Sequence, residues 1–264
     1  MTARPQSGPD FLGIGTQKGG TTFLHDLLRQ HPGCHLPDRK EIHFFSTEYH
    51  HGEGWYRDQF LKAEPGQRTG EITPFYMFHP QAAQRIEAFD PNLRLIALLR
   101  HPVDRAISHY HHAKQRGFEP LSLLEAIQAE PERMSSGDPW SLQKHSYVSR
   151  SRYSVQLERF AHFQQNGQLL LLKSEDLFAN PRACMVKVET FLGLSHQPIK
   201  KVIPASNKGN YSVLGEKVNE RRLLENLLRT EIQKLEQQFS VRWAEQLCKP
   251  PKSSRLEGFR RIDH

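Results

Sequence analysis

Phe11-Leu-Gly-Ile-Gly-Thr-Gln-Lys-Gly-Gly-Thr-Thr-Phe-Leu-His25 decides how the rest of the chain is read. Phe11 to Ile14 is a short apolar run with the character of a buried strand. Gly15 to Gly20 forms a glycine-rich loop with one cation, Lys18, and the chain then enters a helix carrying Leu24, Leu27 and Leu28 on one face. Pro32 and Gly33 end that helix. A strand, a glycine-rich loop and a helix N-terminus together make an anion cradle, because first-turn N–H groups lack helical acceptors and the helix dipole favours negative charge. The plainer alternative is a tight turn with a solvated Lys18. The ATP/GTP loop places its lysine after the glycines; here Lys18 precedes Gly19 and Gly20, so a kinase-type loop is disfavoured.

Working outward, apolar runs alternate with amphipathic stretches, the pattern of a mostly parallel α/β sheet flanked by helices. Gln67–Pro74 reads as a strand leaving into a loop, and Leu93–Leu99 as the clearest buried strand. Pro102 opens a helix over Val103–Arg116, closed by Gly117. His35–Ser46 reads as a loop or short edge segment and Glu53–Lys62 as a helix. Ala83, Ile86 and Phe89 mark another helix, Ser122–Ala129 a further one, followed by a mobile polar loop around 135–139. One long helix is predicted over Ser149–Gln165, then a strand over Leu169–Lys173. A helix with Met185, Val188 and Phe191 inward follows, then a loop at Asn207–Tyr211 and a charged helix over Glu216–Phe239.

The 264 residues suit a single domain spanning 1–264, with flexible tails at 1–9 and about 249–264. No apolar run approaches the ~20 residues of a membrane span, and Met1–Asp10 lacks a signal-peptide core, so a cytoplasmic location is expected. Cys34, Cys184 and Cys248 are too dispersed for a zinc knuckle or disulfide framework. The net charge of +7 calls for an anionic partner. Nucleic acid fits less well than a nucleotide, since the basic residues are spread among acids.

A second anion site is expected where the strand ending at Leu99 runs into Arg100, a bidentate cation, with Ser108 further along the next helix. An Arg100–Asp104 pair is the alternative. Two anion sites suggest a nucleotide with phosphates at two separated places.

At this point the residues resemble a family. Thr16-Gln-Lys-Gly-Gly-Thr-Thr22 is similar to the 5′-phosphosulfate loop of sulfotransferases that use 3′-phosphoadenosine 5′-phosphosulfate (PAPS). Leu95 to Tyr110 is similar to their 3′-phosphate motif. Lys40-Glu-Ile-His-Phe-Phe45 resembles a segment of the heparan sulfate N- and 3-O-sulfotransferase branch; Gly54-Trp-Tyr56, Thr73-Pro-Phe-Tyr76 and Asn207-Lys-Gly-Asn-Tyr211 follow in that branch's order. The resemblance implies a P-loop-like three-layer α/β fold and transfer of a sulfuryl group from PAPS, releasing adenosine 3′,5′-bisphosphate (PAP), to a hydroxyl or amine, with no metal and by in-line displacement.

It also implies roles. Lys18 stabilises the departing phosphate; Gly19, Gly20, Thr21 and Thr22 hold the 5′-phosphate; Arg100 and Ser108 hold the 3′-phosphate; Lys208 and Gly209 close over the nucleotide. Glu41 is the general base, with a raised pKa expected, against the alternative of a solvated partner of Lys40. Read from the sequence itself, His43 is a second base or orienting group, against the alternative of a structural or surface histidine, Glu71 follows a strand and could point into the same cleft, and His109, His111 and His112 are helix-surface residues. Two departures stand out: Ile72 occupies a position where the branch has lysine, and no cysteine lies near Tyr211.

Overall fold

Five short strands lie among the described residues: β1 (Phe11–Gly15), β2 (Cys34–His35), β3 (Arg68–Ile72), β4 (Arg94–Leu99) and β5 (Leu169–Lys173), with the most apolar runs in β1, β4 and β5. The computed structural model describes residues 8–199 and 218–243. All pairings are parallel, in the order β2-β3-β1-β4-β5. Phe11 stands opposite Gly70 on one side and Arg94 on the other, which puts β1 at the centre.

The helices, in chain order, are α1 (Thr21–Arg29), α2 (Gly52–Asp58), α3 (Ala82–Phe89), α4 (Pro102–Gln115), α5 (Leu123–Ser135), α6 (Pro139–Lys144), α7 (Tyr153–Glu158), α8 (Ala161–Gln165), α9 (Ser174–Ala179), α10 (Pro181–Leu192) and α11 (Val218–Phe239). Side chains alternate across a strand, so β4 feeds two layers. Leu95, Ala97 and Leu99 join Leu12, Ile14, Phe44, Phe45, Tyr56 and Phe160 on one face. Ile96 and Leu98 meet Leu24 and Leu28 of α1 and Met185 and Val188 of α10 on the other. This is the expected three-layer α/β arrangement, with the central strands β1 and β4 buried between helices, as parallel sheets require, and the edge strand β5 half-buried. A third cluster joins α4, α5 and Tyr147 to Leu224 and Leu228 of α11.

Three predicted elements differ. The long helix over Ser149–Gln165 is instead a 3-10 turn at Ser149–Ser151 followed by α7 and α8. At its start, the buried Glu130 carboxylate accepts the Val148 and Ser149 amides, and the Gln156 side chain donates to the carbonyls of Ser149, Arg150 and Arg152. Such side-chain bonds compete with helical ones. At the second break, Arg159 turns aside to donate to the carbonyls of Met77, Phe78 and His79.

Helix α5 runs on past Ala129, through Pro131, to Ser135, and α6 follows, capped by Asp138 on the amides of Trp140 and Ser141. Helix α2 stops at Asp58, leaving Leu61 exposed. Helix α9 was not anticipated; it follows β5 without a gap. Cys34 and Cys184 are buried free thiols. Asn207–Tyr211, with Lys208 and Gly209, and Cys248 lie outside the described residues.

Candidate active site

The connection leaving β1 leads to β2 on one edge of the sheet, and that leaving β4 leads to β5 on the other. Ligands of open parallel sheets bind where adjacent strands diverge in this way, beyond their carboxyl ends. A cleft of about 1090 Å³ lies there, and Lys18, Gly20, Thr21, Thr22, Glu41, His43, Arg100 and Ser108 all line it. Eight of the predicted residues, contributed by four separate segments, are thus brought to one cleft.

The glycine loop is pinned from below. Thr16 bonds the Leu98 carbonyl through both its amide (2.8 Å) and its hydroxyl (3.1 Å). Ser174 at the start of α9 donates to the carbonyls of Gly19 (2.6 Å) and Leu99 (3.1 Å), tying the loop to β4. Gly20 sits at φ +89°, and a Cβ there would come 2.6 Å from the Phe178 ring, so only glycine fits. Gly19 is not on the wall: its N–H is spent on the Thr16 carbonyl at 2.9 Å, closing the turn. The amides of Gly20, Thr21 and Thr22 find no protein acceptor among the described residues, as first-turn donors do.

Lys18, at φ +69°, has no acidic partner among the described residues. Burial, and then the charges of Arg100, Arg116 and Arg105, push its ammonium down to about 8. Asp104 pairs with Arg221 at 2.9 Å rather than with Arg100, so the alternative reading of Arg100 as an intrahelical ion pair does not hold. Arg100 reaches instead toward the Lys18 carbonyl, 3.4 Å away. Ser108 is buried on α4 at the cleft wall.

Glu41 (φ +57°) and His43 (φ +63°) are also left-handed. Non-glycine residues in that region are held there against a local cost, and three of them meet at this cleft. Lys40 lies 4.0 Å from Glu41 and donates instead to the Thr22 hydroxyl, while His43 Nε2 stands 3.7 Å from the Glu41 carboxylate. Burial alone would raise the Glu41 carboxyl. His43, Lys40 and Lys144 outweigh it and hold the group below its ordinary value, the opposite of the expected shift.

Glu71 lies behind the wall, 2% exposed. It accepts from the hydroxyls of Tyr56 (3.3 Å) and Thr73 (2.7 Å), and Thr73 in turn accepts the His43 amide at 3.3 Å. Burial pushes its carboxyl up to about 7. It supports the His43 backbone rather than entering the cleft. The other wall carboxylates are committed to the scaffold: Asp104 to Arg221, and Glu175 to the His101 amide and the Trp243 indole, both at 2.9 Å.

The surface assignment of the α4 histidines is corrected: His109 is buried against the Tyr147 ring, and His112 lines the cleft because Ser108, His112 and Arg116 recur every fourth residue along the side of α4 that meets it. Arg116, Phe118, Lys144 and Arg150 complete the wall and were not picked out from the sequence. Arg116 caps the end of α4, and the others come from a loop, a short helix and a 3-10 turn with no motif; Arg150 meets Gln17 across 133 residues of chain.

Comparison with known proteins places this arrangement. The chain is 34% identical over 194 residues to mouse heparan sulfate glucosamine 3-O-sulfotransferase 3B1, covering 70% of this chain and 46% of that protein. It is 33% identical over 202 residues to human bifunctional heparan sulfate N-deacetylase/N-sulfotransferase 2, covering 71% and 22%. The chain therefore matches less than half the length of these curated relatives. The crystal structure of a sulfotransferase from Alicyclobacillus acidocaldarius superposes with a TM-score of 0.75 at 26% identity, over 90% of this chain and 98% of that one. Neither a kinase nor a nucleic-acid-binding protein is supported by these likenesses. The sulfotransferase domain pattern matches residues 8–247, and the chain belongs to that family.

Proposed function

We propose that this protein transfers the sulfuryl group of PAPS to a hydroxyl or amine of a saccharide acceptor, releasing PAP. The observation that carries the reading is the pairing of Lys18 with Arg100. Each lies in the connection that leaves one of two adjacent strands, β1 and β4, each lacks a carboxylate partner among the described residues, and both line one cleft. Two cations so placed suit a nucleotide with separated phosphates. The relatives' names, which specify heparan sulfate, favour a saccharide acceptor.

In this reading the amides of Gly20, Thr21 and Thr22 hold the 5′-phosphate and Arg100 and Ser108 hold the 3′-phosphate, with Lys208 and Gly209 closing over the nucleotide. Gly19 shapes the loop. Glu41 takes the acceptor's proton, and His43 fixes the carboxylate from the side. As the acceptor oxygen or nitrogen bonds to sulfur, the bond from sulfur to the 5′-phosphate oxygen breaks. The electron pair stays on that oxygen, where Lys18 meets the new charge. Positioned charges of this kind supply most of the catalysis in related phosphoryl transfers.

Transfer of labelled sulfate from PAPS to a panel of saccharide, lipid and small-molecule acceptors, read by mass spectrometry with a chelator present, tests the proposal. Sulfated saccharide without added Mg²⁺ is the expected result. No sulfated product, or a strict Mg²⁺ requirement, would overturn it.

A further inference from the structure

Position 72, where a lysine was expected, is filled by Ile72, 1% exposed and packed over Gly13, where a Cβ would meet it at 2.7 Å. It cannot serve the cleft. A different cation lies against the segment that follows it. Arg150, on the 3-10 turn Ser149–Ser151, is 2% exposed yet lines the cleft, with its guanidinium 4.9 Å from the Phe75 ring and 4.7 Å from Phe78.

Nη1 donates to the Gln17 side chain, next to Lys18, and Nη2 donates to the carbonyls of Leu142 (2.9 Å) and Gln143 (3.1 Å). A guanidinium has five N–H donors. Three are used; Nε has no acceptor, and no carboxylate pairs with the group among the described residues. The turn is built to keep it there. The buried Glu130 takes the amides of Val148 and Ser149, both at 2.7 Å, and the Ser151 hydroxyl donates to the Pro102 carbonyl at 2.9 Å.

Withdrawing a guanidinium from water without a carboxylate is costly, and an apolar side chain would fill the space at less expense. Such a charge is retained where it meets an anion arriving from outside. Its anchors say which anion. Gln17 belongs to the glycine-rich loop, while the Phe75 ring stands edge-on to His43, 6.1 Å between centroids, beside the loop that carries Glu41. What passes between the two sides is the sulfuryl group.

We propose that Arg150 is a further catalytic residue that donates to a peripheral oxygen of the sulfuryl group in transit, in place of a lysine at 72. The inference rests on the PAPS reading above. Arg150 forms and breaks no bond; the transferring group keeps its negative charge from donor to product, and Arg150 holds that charge while sulfur changes partners.

The test needs no acceptor. PAPS and PAP differ by the sulfuryl group, so each is titrated by calorimetry into the wild type, Arg150→Met and Gln17→Ala. PAPS affinity should fall about tenfold or more in Arg150→Met, the scale of a lost charged hydrogen bond, with PAP affinity within about twofold. Gln17→Ala, which frees the guanidinium from its anchor, should move the PAPS/PAP ratio the same way, and it decides the matter should the methionine variant not fold. Equal losses for both nucleotides, or none, overturn the role of Arg150. A wild type that binds neither nucleotide overturns the PAPS reading itself, and this proposal with it.

Discussion

Lys18 offers a sharp quantitative prediction, because its ionisation should be coupled to nucleotide binding. Burial and three neighbouring arginines push its pKa down to about 8. The free protein therefore carries this charge below that pH and loses it above. A nucleotide phosphate brings negative charge to the same ammonium and favours the protonated form. Binding at pH 8.5 should then draw a proton from solution. With a pKa near 8, about three quarters of the molecules start deprotonated, so the uptake is ~0.7 proton per nucleotide. Phosphate groups titrate near 6 and are already ionised at 8.5. The assay is calorimetry with PAP at pH 8.5 in two buffers of different ionisation enthalpy, on the wild type, Lys18→Met and Lys18→Arg. The arginine variant should bind without proton uptake, since a guanidinium stays charged throughout. Uptake that is absent in the wild type, or unchanged in both variants, would refute the placement of Lys18 against a phosphate.

Three further outcomes are expected. Arg100→Ala should weaken PAP by ~1.5–3 kcal/mol while leaving adenosine 5′-phosphate nearly untouched in competition assays; equal losses would deny that Arg100 reads the 3′-phosphate. Glu41→Gln should lower turnover by ~10²–10⁴-fold with PAP affinity preserved. In the wild type, the acid limb of the rate–pH profile should lie below the usual ~4.3 of a glutamate, because the carboxyl loses activity only once protonated and its neighbours hold that pKa down. A limb near 7 would instead implicate Glu71, whose carboxyl burial pushes up to about 7. Phe160→Ala should cost ~3–5 kcal/mol in urea unfolding, since Phe160 is 0% exposed at the break between α7 and α8; a loss under ~1 kcal/mol would mean that the break, rather than the ring, anchors this segment.

Much of the fold was legible because its signals are local. Apolar runs specified β1, β4 and β5, the stretch leading to Pro74 marked β3, and a proline at the start with a glycine beyond the end bracketed α4 to within a residue. The errors fall where distant side chains overrule local propensity. Ser149–Gln165 has the composition of one helix. The Glu130 carboxylate and the carbonyls of Met77 to His79, far away in sequence, capture its amides and Arg159, and the helix breaks in two places. Nothing in a window of that stretch carries those partners. β2 is an edge strand of two residues, too short for any periodicity to register.

The site divides along the same line, for a reason that bears on its chemistry. On the proposed reading, the residues that meet the donor sit in contiguous motifs because a phosphate must be met by consecutive amides at a helix start, and consecutive geometry is written consecutively in sequence. Nothing imposes contiguity on the side facing the acceptor. Glu41 and His43 come from a loop, Arg116 from the end of α4, Lys144 from the end of α6, and Arg150 from a 3-10 turn, each brought in by tertiary packing. Three residues do announce themselves in the backbone: Lys18, Glu41 and His43 are held in left-handed conformations. Thr73 and the buried Glu71 behind it hold the His43 amide. A loop free to relax would release that strain. Its retention at both Glu41 and His43 argues that, if Glu41 takes the acceptor's proton as proposed, its carboxylate is aimed into the cleft before any acceptor arrives.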